Sequence, residues 1–219
     1  MVKLATMDNL LFDGPEDAPL GDAPLTIALA HGAGAAMDTP FMAFFAEGLA
    51  ERGFRAVRFE FPYMAERRRT GVKRPPDRAP LLLETWKAVI EELGPERLII
   101  GGKSLGGRMA SMVADEAGVR GLVCLGYPFH APGRPPERPE NARIDHLKAL
   151  KTPALILQGA RDTLGSHAEV PSYPLSAAIR LHWLGDGDHG FKPRTASGRT
   201  ERQNWDEAVG EIAAFISSL

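Results

Sequence analysis

Residues 98–107 read Leu-Ile-Ile-Gly-Gly-Lys-Ser-Leu-Gly-Gly. An apolar run of strand type ends in Gly-x-Ser-x-Gly, and an alanine- and methionine-rich helical pattern follows at once. A tight strand-to-helix turn of this kind lifts a serine hydroxyl above a parallel sheet, and the flanking glycines leave room for it. The helix then directs its first N–H groups to the place where negative charge would develop. The stretch therefore predicts an α/β protein with Ser104 as a nucleophile.

Two other interpretations of this stretch compete with the first. Gly-Lys-Ser also ends the phosphate-binding pattern Gly-x-x-x-x-Gly-Lys-Ser, but that pattern requires glycine at position 97, which is Arg97. The residues between them form an apolar strand rather than a glycine-rich loop. The second is a chance Gly-x-Ser-x-Gly in a chain that holds 23 glycines. Only the rest of the chain decides between chance and a nucleophile.

Composition is ordinary for a globular domain. The chain has 219 residues, of which 44% are hydrophobic and 25% charged, so we predict a single domain over residues 1–219. No apolar run approaches the roughly 20 residues of a membrane span, and the N-terminal stretch does not resemble a secretory signal. The single cysteine, Cys124, excludes an internal disulfide and lies in an apolar run. These features favour a cytoplasmic protein with no membrane contact.

Strand-like and helix-like segments alternate along the chain. Apolar strands separated by helices predict a mainly parallel sheet covered by helices on both faces. The predicted strands are 25–30, 54–61, 97–100, 121–125, 154–157 and 179–184, and the predicted helices are 39–52, 80–93, 105–117 and 205–216.

Candidate partners for Ser104 follow two later strands. A serine nucleophile needs a base, and the base needs an orienting carboxylate. Asp162 follows strand 154–157 and His189 follows strand 179–184, so both are expected at the edge of the sheet where Ser104 lies. We therefore predict Ser104, Asp162 and His189 as catalytic residues. The weaker alternatives are Asp186 and Asp188 for the acid, and His130, His146, His167 and His182 for the base.

The segment His31-Gly32-Ala33-Gly34 also follows a predicted strand. Small residues let a backbone approach a substrate closely, so that its N–H groups can stabilise an oxyanion. We predict the backbone amides of Ala33 and Leu105 as the two donors, with Gly34 replacing Ala33 if the turn is rotated by one residue.

Three longer motifs carry a resemblance to a known family: residues 101–111 (GGKSLGGRMAS), 59–64 (FEFPYM) and 187–194 (GDHGFKPR). With them the chain resembles the α/β-hydrolase superfamily over nearly its whole length. It is similar to a branch related to dienelactone hydrolases, which includes bacterial predicted hydrolases, a testis-expressed animal protein and the hydrolase-like domain of a chromatin-complex scaffold subunit. The resemblance implies the Ser104–Asp162–His189 triad, no metal and no cofactor. It also leaves open a catalytically idle interaction scaffold beside an ester or thioester hydrolase.

Two loop features bear on the substrate. The interval 126–152 is proline-rich at its start and predicts only one short helix near 144–150. We therefore expect no lid domain, which favours an accessible small ester or thioester. The loops 62–78 and 190–203 are rich in basic residues, and both follow strands. We expect Arg67, Arg68, Arg69 and Arg194 on the rim of the site, where they would attract an anionic substrate.

The basic loops and Glu60 each have more than one interpretation. The basic loops could also be solvated loops, and they contain too few aromatic residues to favour nucleic-acid binding. Glu60, at the end of strand 54–61, either contacts Ser104 or Lys103, orients loop amides, or is a surface carboxylate.

Overall fold

The architecture is a mixed sheet of seven strands in the order β1-β3-β2-β4-β5-β6-β7. The computed structural model of the chain describes residues 10–15, 25–133 and 143–219. All neighbouring strands are parallel except β1, which pairs antiparallel with β3 at one edge. The strands are β1 (Leu11–Asp13), β2 (Thr26–Ala30), β3 (Arg55–Phe59), β4 (Leu98–Lys103), β5 (Gly121–Leu125), β6 (Ala154–Gly159) and β7 (Ile179–Leu184).

Helices cover both faces of this sheet, which confirms the predicted fold class. They are α1 (Pro40–Ala50), α2 (Pro62–Thr70), α3 (Ala79–Leu93), α4 (Leu105–Ser111), α5 (Ala114–Ala117) and α6 (Glu201–Ser217). Alternate strand residues point to opposite faces, so Ile100 packs with Trp86 of α3 on one face. Ile99 packs with Phe45 of α1 and Ile212 of α6 on the other.

Local sequence signals explain where α1 and α6, the two helices on the Ile99 face of the sheet, begin. Thr39 accepts a hydrogen bond from the Met42 amide, and Pro40 occupies the first helical position of α1. Thr200 and Gln203 form a capping box at the start of α6. Helix α6 therefore begins four residues earlier than the apolar pattern at 205–216 predicts.

Three other element predictions need correction. The segment 62–78 was expected as a loop, but its first half is α2, which starts with Pro62 and ends at Gly71 in a left-handed conformation. The helix predicted over 105–117 is interrupted after Ser111 and resumes at Ala114. Strand β1 was not predicted, because three residues are too short to show a periodic pattern.

The connection between β5 and β6 contains no lid domain in its described residues. It holds a single turn of 3₁₀-helix, Asp145–Lys148, close to the short helix expected near 144–150. Residues 134–142 of this interval, and most of the N-terminal stretch assessed as a signal sequence, lie outside the described residues. No helix among the described residues combines the length and apolar character needed to cross a membrane.

Candidate active site

Ser104 occupies a strained turn between β4 and α4. Its backbone φ is 50° and ψ is −111°, a conformation that a residue with a side chain rarely adopts. Glycine is required on both sides, because a Cβ at Gly102 or Gly106 would lie 2.1 or 2.4 Å from the carbonyl oxygen of Ala30 in β2. The close passage of β2 therefore explains the spacing of glycines around the serine.

Asp162 and His189 lie in contact beyond the ends of β6 and β7. Nδ1 of His189 is 2.7 Å from Oδ2 of Asp162, whose side chain is fully buried. Gln158 donates its side-chain amide to the same oxygen over 2.8 Å, and the Leu164 amide donates to Oδ1 over 2.8 Å. The carboxylate is oriented through both oxygens, and its contact with Nδ1 leaves Nε2 of His189 available to a serine.

The base also lies near the nucleophile turn. A Cβ at Gly126 would be 2.7 Å from Nζ of Lys103 and 3.3 Å from Nδ1 of His189, and the Lys103 ammonium donates to the backbone carbonyl of His189. Among the described residues, the Ser104 hydroxyl makes no hydrogen bond to His189. Such bonds are often long in an unliganded enzyme and shorten when substrate binds.

The predicted oxyanion amides are free to bind a ligand. Within the described parts of the chain, neither the Ala33 nor the Leu105 amide donates a hydrogen bond, and Ala33 and Gly34 are exposed. Leu105 is the first residue of α4, so its amide points out of the helix start. Of the two predicted donors, Leu105 directly follows Ser104 in the chain, and Ala33 lies in the loop after the neighbouring strand β2.

His31 and Tyr63 hold the Ala33 loop in place. Buried His31 contacts the Gly32 carbonyl through Nδ1 over 2.7 Å, and its Nε2 accepts the Phe61 amide over 3.1 Å. This arrangement requires a neutral imidazole protonated on Nδ1, and burial lowers the pKa of His31 accordingly. The Tyr63 hydroxyl donates to the Ala33 carbonyl over 3.0 Å.

Helix α6 supports the loop that carries His189. Its Asn204 donates to the carbonyls of Gly185 and Phe191, and its Trp205 donates to the carbonyl of Gly190 over 3.0 Å. These supports were not predicted from the sequence. A buried asparagine in an apolar helix face is the one signal that could have indicated them.

The four predicted rim arginines have different surroundings. Arg67 donates to the Gly34 carbonyl over 3.1 Å and forms no ion pair with a described carboxylate. Arg68 pairs with Glu60 and Asp38. Exposed Arg69 pairs with Glu66, and exposed Arg194 pairs with Asp186.

A cavity of about 390 Å³ lies beside the Ala33 loop, and two of these arginines line it, whereas Ser104, Asp162 and His189 do not. Gly34, Met64, Arg67 and Arg68 contribute to its wall. Arg69 and Arg194 are not among the residues that line it. A second cavity, of about 170 Å³, lies between α1 and α6 and likewise contains none of the candidate catalytic residues.

Glu60 is buried and does not contact Ser104 or Lys103. Its carboxylate binds Arg68 over 2.7 Å and accepts the Met37 amide over 3.3 Å. Of the three interpretations of this residue, the contacts correspond to the one in which it orients amides of the loop after β2.

The alternative acids and bases contact other groups. Asp186 binds Arg194 and Arg161, and Arg194 lowers its pKa to about 2. Asp188 accepts the amides of Gly190 and Lys192 in the turn around the base. Each alternative histidine has its own neighbour: His130 pairs with Glu169, His146 with Ser111, and His182 with Glu207, while His167 packs against the Trp183 ring.

Comparison with known proteins agrees with this architecture. The sequence matches the family described as an alpha/beta hydrolase domain over residues 23–217. The chain belongs to this family. The narrower resemblance to the branch that holds the testis-expressed protein and the chromatin scaffold stays a prediction.

Solved structures similar to this α/β-hydrolase share its fold over most of their length. One is an alpha-beta serine hydrolase homologue from Coxiella burnetii, with 18% identity, a TM-score of 0.65, and 95% of this chain and 94% of that chain covered. The second is Est1E from Butyrivibrio proteoclasticus, with 14% identity, a TM-score of 0.64 and 98% of both chains covered. The third is an α/β serine hydrolase without lid from Xanthomonas campestris, with 20% identity, a TM-score of 0.61, and 92% and 88% covered.

Proposed function

We propose that this α/β-hydrolase cleaves a carboxylic ester or thioester through an acyl-enzyme on Ser104. The observation that carries the proposal is the position of Ser104 in the strained turn after β4, at the sheet edge where His189 contacts Asp162. Strain of this kind is concentrated at functional sites, and a buried carboxylate on a histidine is the arrangement that activates a serine. The predicted absence of a cofactor follows from this chemistry, and we also propose a cytoplasmic location.

The reaction would proceed in two steps, formation of the acyl-enzyme and its hydrolysis. Ser104 Oγ attacks the carbonyl carbon while His189 Nε2 takes its proton, and the amides of Ala33 and Leu105 stabilise the oxyanion. The protonated imidazole then gives that proton to the departing alcohol or thiol, which leaves the acyl group on Ser104. Water then attacks the acyl carbon while His189 Nε2 takes its proton, and the imidazolium returns that proton to Ser104 Oγ as the carboxylic acid leaves. Asp162 stabilises the imidazolium in both steps.

The cavity beside the Ala33 loop supports a preference for an anionic substrate. Arg67 lines it without a described ion-pair partner, whereas the Asp38 carboxylate in the same wall pairs with Arg68, so the charge of Arg67 is available to a ligand. A positive charge at the mouth of a site raises the local concentration of anionic substrates. Arg68 contributes less in this proposal, because Glu60 and Asp38 already neutralise it.

A fluorophosphonate probe, which phosphonylates activated serines, tests the proposal without knowledge of the substrate. Wild-type protein should be labelled, and Ser104→Ala and His189→Ala should each lose labelling by about 10⁴-fold or more, the double variant little more. The matched control is His182→Ala, because His182 also lies 2.8 Å from a carboxylate, that of Glu207, but within β7 and facing α6. Folded wild-type protein that resists the probe would favour the idle scaffold, and labelling of Ser104→Ala would remove Ser104 as the nucleophile.

A further inference from the structure

Lys103, the residue directly before Ser104, connects the nucleophile strand to the base. Its ammonium donates a hydrogen bond to the backbone carbonyl of His189. It lies 5.2 Å from the ring centroids of both Phe41 and Phe191. No carboxylate among the described residues forms an ion pair with it, so the His189 carbonyl is its one described hydrogen-bond acceptor.

The surroundings of this ammonium are costly for a cation. Desolvation lowers the pKa of Lys103 to about 8, although Asp162 and Asp188 both face it and favour the charged form. The Phe41 and Phe191 rings offset part of this cost through cation–π contacts, whereas an apolar side chain of similar length would avoid the desolvation cost altogether. Fold stability alone therefore does not account for a lysine at this position.

The sheet order shows that Lys103 joins the end of β4 to the loop that follows β7. Strands β5 and β6 lie between β4, which ends at Lys103, and β7, which precedes His189. The loop that carries the base must therefore extend across two strand ends to reach Ser104. Gly126, at the end of β5, has a φ of 66° and no side chain, and a Cβ there would lie 2.7 Å from the ammonium and 3.0 Å from the His189 carbonyl oxygen.

We propose that Lys103 is a positioning residue that ties the His189 loop to the end of β4 and thereby holds the imidazole within reach of Ser104. Lys103 does not touch the substrate and acts only through His189. The proposal rests on the proposed function, because it assigns a use to the relative positions of His189 and Ser104. Asn204 and Trp205 fix the far side of the same loop, and Lys103 fixes the side that faces the nucleophile.

The first test compares Lys103→Met with Lys192→Met, which removes an exposed lysine from the base loop. At pH 7, Lys103→Met should react with the fluorophosphonate about ten-fold or more slowly, because the base is no longer held in place. Its kcat for a neutral activated ester should fall in parallel while KM stays within about two-fold. Lys192→Met should match wild type. An unchanged labelling rate in folded Lys103→Met would overturn the proposal.

A second test needs no destabilising substitution. Charge-assisted hydrogen bonds are roughly twice as strong as neutral ones, so loss of the Lys103 proton above about pH 8 should slow labelling of the wild-type protein. Lys103→Arg keeps its charge at that pH and should lack the decline. A decline of equal size in Lys103→Arg and in the wild-type protein contradicts the proposal.

A third measurement separates this proposal from the proposed function. The proton on His189 Nδ1, hydrogen-bonded to Asp162, should give a low-field NMR signal in Ser104→Ala protein, which cannot react. Adding Lys103→Met should broaden or remove that signal if Lys103 positions the loop. The signal can be measured even if wild-type protein resists the probe. Its persistence in the double variant would overturn the positioning role, whatever the activity.

Discussion

The substitution Asp162→Asn is the most sensitive test of how the base is oriented. Asp162 accepts three hydrogen bonds, from His189 and Gln158 on Oδ2 and from the Leu164 amide on Oδ1. Asparagine has the same shape but replaces one acceptor oxygen by an N–H donor pair. In either orientation of the asparagine side chain, its NH2 group must therefore lie opposite an N–H donor of a neighbouring residue.

The two orientations of the introduced asparagine side chain have different costs. With its oxygen toward His189 and Gln158, its amide group opposes the Leu164 N–H, and the buried unsatisfied donors cost about 1–3 kcal/mol of stability. With its oxygen toward Leu164, its amide group faces His189 and favours the tautomer protonated on Nε2, which cannot accept the Ser104 proton. Either orientation removes the negative charge that stabilises the imidazolium. We expect a rate loss on the order of 10⁴-fold, or about 5 kcal/mol of activation free energy.

The assay is the second-order rate constant for fluorophosphonate labelling, measured together with denaturant unfolding. Asp186→Asn and Asp188→Asn are the controls, because Asp186 binds two arginines and Asp188 binds backbone amides. Each control should retain labelling within about ten-fold of wild type. Folded Asp162→Asn that reacts within ten-fold of wild type would refute the role of Asp162. A larger loss in either control would assign the role to that acid instead.

Two further predictions concern the rim and the nucleophile turn. Arg67→Glu should lower kcat/KM for an anionic ester by about five-fold at low salt and spare a neutral one, whereas Arg69→Glu, on an exposed and paired residue, should change neither. If the difference between the anionic and the neutral ester is present at low salt and disappears at high ionic strength, a long-range field explains it. Equal effects of the substitution on both esters would contradict that explanation. Gly107→Ala should destabilise the fold by about 1–3 kcal/mol in denaturant unfolding, because its Cβ would lie 2.6 Å from the Gly102 carbonyl oxygen. Gly210→Ala, which meets nothing within 4 Å in α6, should be neutral or stabilising, and equal destabilisation by both would contradict the packing argument.

The fold and the chain order of the candidate catalytic residues were predictable from local sequence. Buried parallel strands are apolar on both faces, and this pattern predicted residues 121–125, the observed bounds of β5. The nucleophile turn was predictable because its glycines are set by sterics within a few residues of Ser104. The placement of Asp162 and His189 at one edge of the sheet was predictable, because the carboxyl ends of parallel strands meet there and each residue follows such a strand.

Contacts between distant segments were decided only by the tertiary structure. The basic residues of 62–78 look equivalent in the sequence, but folding pairs Arg68 with Glu60 and leaves Arg67 beside a cavity. Lys103 appeared only as part of a glycine-rich motif, yet its ammonium meets a carbonyl 86 positions further along the chain. Sequence periodicity records which face of an element is buried, whereas a hydrogen bond or ion pair depends on the relative placement of two elements. That placement follows from the packing of the whole sheet with α1 and α6, which no local pattern contains.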